Sequence, residues 1–101
     1  MTWHRVAELD EVPAGQGKEI LVAGRIVALF HVDEDWYALD GMCAHQGGPI
    51  ARGVISGNCV TCPWHGWQYD LGSGCNLLSG KKMLDCFPVE QRHDGIWLEL
   101  V

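Results

Sequence analysis

Two short stretches, Cys43-Ala44-His45 and Cys62-Pro63-Trp64-His65, each set a thiol close to an imidazole, with sixteen residues between the pairs. Thiolates and neutral imidazoles are both metal ligands, so the two pairs offer four donors. Two thiolates suit one iron in its higher oxidation state, and two imidazoles suit a second iron that accepts an electron, which makes an iron–sulfur centre one reading. A single tetrahedral zinc held by Cys43, His45, Cys62 and His65 is another. In the iron–sulfur case, two thiolates and two imidazoles leave the oxidised centre formally neutral, whereas four thiolates would make it an anion before any electron arrives. Adding an electron to a neutral species costs less in a low-dielectric site, so histidine ligation raises the reduction potential.

The elements that must carry these pairs read as strands. Apolar residues recur with period two, and Gly, Pro, Asn and Asp break them into short runs, which predicts a mostly antiparallel β protein. Strands are expected at Trp3 to Val6, Lys18 to Ala23, Arg25 to His31, Trp36 to Asp40, Val54 to Ile55, Cys59 to Thr61, Trp67 to Tyr69, Phe87 to Gln91 and Ile96 to Leu100. Asp33-Glu34-Asp35, Ser56-Gly57-Asn58 and His93-Asp94-Gly95 lie between strand pairs and read as hairpin turns. A helical stripe lasts only a turn or two near Ala7 to Val12, ended by Pro13, Gly15 and Gly17.

At 101 residues the chain is expected to form one domain, 1–101, close to the size at which a single core suffices. It has no apolar run of membrane-spanning length and no charged-then-apolar leader, so a soluble, cytoplasmic protein without a membrane partner is expected. Five cysteines, two of them claimed by the ligand pairs, suit a reducing compartment better than a disulfide framework. Seven basic residues against thirteen acidic ones give a formal net charge of −6, which argues against nucleic acid or an anionic membrane and favours a basic protein partner.

The stretches Cys43-Ala44-His45-Gln46-Gly47-Gly48 and Cys62-Pro63-Trp64-His65-Gly66-Trp67 resemble the two cluster-binding loops of the Rieske family. The resemblance covers nearly the whole chain and implies an all-β, Rieske-type antiparallel β-sandwich with a small cluster-binding subdomain over roughly 41–72. It implies one [2Fe-2S] cluster held by Cys43, His45, Cys62 and His65. The implied role is a Rieske ferredoxin: a monomeric one-electron carrier, not a catalyst by itself, between a flavin-dependent NAD(P)H reductase and a terminal oxygenase. The alternative is an accessory subunit of an enzyme resembling nitrite reductase, against which the intact ligand pairs count. Potentials in the family span roughly −150 to +300 mV.

Departures from the family pattern place this chain within it. The respiratory, high-potential branch has a disulfide between the loops where this chain has Gly48 and Trp64, and a serine donor where it has Trp67. Tyr69 falls where that branch keeps a tyrosine near a ligand thiolate. Fewer hydrogen bonds to sulfur disfavour the extra electron, so a potential toward the low end, as in the ferredoxin branch, is expected. The covering loop often contains proline in Rieske ferredoxins, but Asn76-Leu77-Leu78-Ser79-Gly80-Lys81-Lys82 has none, and its lysines put positive charge on an otherwise acidic protein.

Other residues carry plainer roles. Cys59 forms a Cys-x-x-Cys with Cys62 but reads as a small buried residue on a strand leading into the loop, and Cys75 and Cys86 read as packing thiols. His4, His31 and His93 lack partners at ligand spacing. Trp64, Trp67 and Tyr69 are expected to pack around the cluster loops and exclude water, while Trp3, Trp36 and Trp97 are assigned to the main core. Gly47, Gly48 and Gly66 would let backbone N–H groups approach the sulfides.

Overall fold

The structure is a computed structural model, and it describes residues 2–42, 49–64 and 66–100. Ten strands follow one another: β1 (Thr2–Ala7), β2 (Gln16–Val22), β3 (Arg25–Val32), β4 (Asp35–Asp40), β5 (Val54–Ser56), β6 (Cys59–Thr61), β7 (Gln68–Asp70), β8 (Cys86–Phe87), β9 (Val89–Arg92) and β10 (Gly95–Leu100), with a short 3-10 helix at Ile50–Arg52 between β4 and β5. They form three antiparallel sheets ordered β1-β10-β9, β2-β3-β4-β8 and β5-β6-β7.

The central strand explains the layering. Val27, Ala28, Leu29 and Phe30 of β3 are all fully buried, although successive residues of a strand point to opposite faces. Val27 and Leu29 enter one core with Val22, Ala38, Ile96 and Leu98, between the middle sheet and β1-β10-β9. Ala28 and Phe30 enter another with Leu39, Ile50, Val60, Cys62 and Tyr69, on the side of the β5-β6-β7 sheet. The β3/β4 register keeps this sorting, since Ala28 faces Leu39 and Leu29 faces Ala38. Each large apolar side chain so buried contributes about 1.5–3 kcal/mol relative to exposure. Gly17 sits opposite Phe30 in β2, and a Cβ there would stand 2.7 Å from the Phe30 ring.

Three expected hairpins form at Asp33-Glu34, Gly57-Asn58 and His93-Asp94, with Val32 facing Asp35, Ser56 facing Cys59 and Arg92 facing Gly95. A fourth tight turn joins β2 to β3 at Ala23 and Gly24, both at positive φ (49° and 81°). Three expectations need correction. The single strand from Phe87 to Gln91 is two, because Pro88 has no N–H for a ladder, and the chain changes sheets there. No helical turn forms at 7–12; the Glu8 N–H donates to the Glu11 carboxylate and the Glu11 N–H to the Glu8 carbonyl, closing a turn instead. Trp3 and Trp97 lie outside the two cores, flanking the Arg92 guanidinium at 5.1 and 4.6 Å. Trp36 does border a core, stacked 4.1 Å from His31, whose Nδ1 lies 2.8 Å from the Val12 carbonyl oxygen.

Candidate metal centre

The segments whose sequence carries the ligand pairs are each closed at the base by backbone pairing. The first loop leaves β4 through Gly41, whose N–H donates to the Ile26 carbonyl, and is shut by a bridge between Met42 and Pro49 and by the Ile50 N–H donating to Gly41. Asp40, just before it, shares the Arg25 guanidinium with Asp85 at 2.9 and 2.8 Å, and its other carboxylate oxygen accepts the Asp85 N–H. Those two carboxylates hold the Arg25 pKa above its ordinary value. The second loop springs from the β6/β7 hairpin, where Thr61 faces Gln68 and the Cys62 N–H donates to the Trp67 carbonyl at 2.7 Å.

Cys62 alone among the four candidate ligands is described; Cys43, His45 and His65 lie outside the described residues, as do Gly47 and Gly48. Cys62 is 1% exposed, and its Sγ accepts the Trp64 N–H at 3.4 Å. That donor suits a sulfur carrying negative charge, and burial among Ile50, Val60 and Tyr69 shields the sulfur from water. Ile50 follows the first loop and Cys62 opens the second, so one core cluster fixes both loop bases. Contact is tight here: a Cβ on Gly53 would stand 2.3 Å from the Thr61 carbonyl oxygen. Cys62, the described candidate ligand, therefore fits a metal thiolate.

A third loop completes this end of the molecule. Asn76 is buried, pairs with Tyr69, and its Oδ1 accepts the N–H groups of Leu78 and Ser79, each at 3.0 Å. The Leu77 N–H donates to the Gln68 carbonyl, tying the loop to β7. Asn76 thus does the shaping for which no proline is present, and a side chain with one acceptor and a turn-forming spacing was the signal for it. Tyr69 is fully buried and Trp67 packs on the same core, as expected, but Trp64 is about half exposed and faces solvent. Gly66 has φ +73° with open space where a Cβ would be, so its turn demands glycine for conformation rather than room. Among the described residues Cys59, Cys75 and Cys86 are free thiols, Cys59 is only partly buried, and no three His, Cys, Asp or Glu side chains gather as an alternative metal site.

An antiparallel β protein in which one core joins the bases of two segments, one carrying Cys-x-His and the other Cys-x-x-His in its sequence, has the frame of an iron–sulfur protein. The chain belongs to the Rieske [2Fe-2S] domain family, whose sequence profile matches residues 2–88. It is 29% identical over 101 residues to the ferredoxin component of the naphthalene 1,2-dioxygenase/salicylate 5-hydroxylase systems of Ralstonia sp, covering 97% of this chain and 95% of that protein. It is also 29% identical to methylxanthine N1-demethylase of Pseudomonas putida over 97% of its own length, but spans only 32% of that enzyme. In fold it is similar to the ferredoxin of carbazole 1,9a-dioxygenase from Nocardioides aromaticivorans IC177, with TM-score 0.88, 24% identity and 97% of each chain covered. A putative NADH-dependent nitrite reductase small subunit from Mycobacterium tuberculosis is equally similar in shape, with TM-score 0.91, 22% identity, 99% of this chain and 96% of that one. No helix among the described residues is long and apolar enough to cross a membrane.

Proposed function

We propose that this protein is a one-electron carrier, a single Rieske domain over 1–101 whose residues 41–72 hold one [2Fe-2S] cluster through Cys43, His45, Cys62 and His65. When bound, such a cluster supplies a reversible one-electron couple. The chain's own part is to bury Cys62, donate the Trp64 N–H to its sulfur, and present the second loop at the surface. His45 and His65 would hold the second iron through one ring nitrogen each, and the nitrogen left free on each ring is the exit this reading assigns to the electron. The observation that carries this reading is the alignment over 97% of this chain and 95% of a ferredoxin component, together with the two ligand pairs within the Rieske match. By that likeness the donor is a flavin-dependent NAD(P)H reductase and the acceptor a terminal oxygenase, with the carrier acting as a cytoplasmic monomer.

The intact pairs of ligands favour this over the accessory-subunit reading that the nitrite reductase likeness suggests. Iron and acid-labile sulfide should be present at about two atoms each per chain, and the protein should be red-brown and bleach with dithionite. A colourless protein carrying zinc would make the centre structural, and one carrying no metal would support the accessory role. Electron paramagnetic resonance of the reduced form should show the lowered average g value of mixed histidine and cysteine ligation.

A further inference from the structure

The charges of this chain are segregated. Residues 41–84 contain three basic side chains, Arg52, Lys81 and Lys82, and one acid, Asp70, while the rest of the chain contains four basic and twelve acidic ones. Lys18, Arg25 and Arg92 are ion-paired and Arg5 donates to the Asp94 carbonyl, whereas Arg52, Lys81 and Lys82 are exposed and make no ion pair among the described residues. Asp40 and Asp85, close to the first loop, share Arg25. The acidic turn at Asp33, Glu34 and Asp35 lies at the opposite end of β4 from Met42, about 20 Å away at the rise of an extended strand.

Apolar side chains share the unpaired positive end. Leu78 is 98% exposed at the tip of the third loop, and Met42, Trp64, Leu77 and Met83 are each about half exposed. Leu78, Met83, Trp67 and Gly66 line a cavity of about 480 Å³ between the second and third loops, and Met83 also faces the groove beside Met42. A bare side chain such as Leu78 gains nothing from the fold it stands on, and the loop that projects it is pinned by Asn76.

We infer that the face formed by Leu78, Met83 and Trp64 with Lys81 and Lys82 docks an electron-transfer protein whose own face is apolar at its centre and acidic at its rim. This rests on the carrier reading above and reverses the partner sign that the net charge of −6 alone suggests. The acidic remainder turns the molecule so that its positive end leads, since an opposing potential orients an approaching charged body.

The test uses the dithionite-reduced holoprotein and two small outer-sphere oxidants, the anion hexacyanoferrate(III) and the cation tris(phenanthroline)cobalt(III), followed by stopped flow. One electron leaves the cluster, one oxidant is reduced, and no proton moves. With the anion, the rate constant should fall about tenfold between about 10 mM and about 150 mM salt, and with the cation it should rise. The variant K81E/K82E should reverse both slopes, and Glu34→Lys should leave them unchanged. Slopes of the sign set by the net charge, or a larger effect from Glu34→Lys, overturn the inference. With a naphthalene 1,2-dioxygenase oxygenase component as acceptor, Leu78→Ser should raise the half-saturating carrier concentration about tenfold at every salt concentration, and K81E/K82E only at low salt; no effect of Leu78→Ser overturns the apolar centre. Should the slopes with small oxidants hold but the oxygenase accept no electrons, the carrier-to-oxygenase reading fails and the polarity of the face stands.

Discussion

The backbone N–H of Trp64 points at the Sγ of Cys62 from 3.4 Å, two residues along the same loop. A hydrogen bond to a ligand sulfur favours the more negative, reduced state, so its removal should lower the potential. Trp64→Pro deletes that donor together with the exposed indole, so Trp64→Ala, which keeps the N–H, is the reference against which its potential is read. The expected fall is on the order of tens of millivolts, 59 mV being a tenfold change for one electron. Protein-film voltammetry on iron-loaded protein decides it, and an unchanged potential would mean that this N–H does not bear on the centre.

His65→Cys replaces a neutral donor by a thiolate. Provided iron is still bound, the centre becomes an anion before reduction, and the potential should drop by more than in Trp64→Pro. A higher or equal potential in the same voltammetric measurement would refute the charge argument for mixed ligation.

Asn76→Ala leaves the N–H groups of Leu78 and Ser79 without their acceptor. The cost should be about 1–3 kcal/mol, with the loop of residues 77–83 cut faster by a protease than in the parent. Asn76→Asp keeps an acceptor and should recover most of the stability. Equal stability of Asn76→Ala in denaturant unfolding would show that the loop is shaped by its backbone pairing with Gln68 and Tyr69 instead.

The Lys18 ammonium, hydrogen-bonded to Glu11, holds the Glu11 pKa below its ordinary value of 4.5, with the Glu8 N–H adding to the effect. A lowered pKa in the folded state gives stability that is present above the unfolded value and disappears as pH falls through the folded one. Glu11→Gln should therefore be less stable than the parent at about pH 7, with the difference shrinking as pH falls below 4.5 and through the lowered folded-state pKa. The effect is small because both groups are largely exposed. A difference that persists undiminished in acid would assign the loss to packing of the 8–13 turn.

Much of the strand order was legible because its signals are local. Cys59–Thr61 has the bounds that alternation assigns, and Asp33-Glu34, Gly57-Asn58 and His93-Asp94 turn where residues that tolerate tight backbone conformations stand together. The Pro88 break was also readable, since a proline cannot donate to a ladder, but an apolar run across it hid the change of sheet. Trp3 and Trp97 misled for a related reason: an aromatic residue on a strand carries no mark of which face it takes, and here both turn outward around Arg92.

The amino-acid order by itself determined the donor set, two thiols and two imidazoles at spacings that short loops can present, because ligand chemistry belongs to the side chains whatever the fold around them. It determined the β class as well, through period and turn residues. Only the tertiary structure decided that both faces of β3 are buried, that Ile50 and Cys62 share one core beneath the two loops, and that Asn76 braces a third loop beside them. It also decided that Lys81 and Lys82, without ion pairs among the described residues, stand in one loop with the bare Leu78, against the sign of the total charge. Those relations join residues distant along the chain, and their energies come from packing and from which charges find partners, neither of which exists until the sheets have assembled.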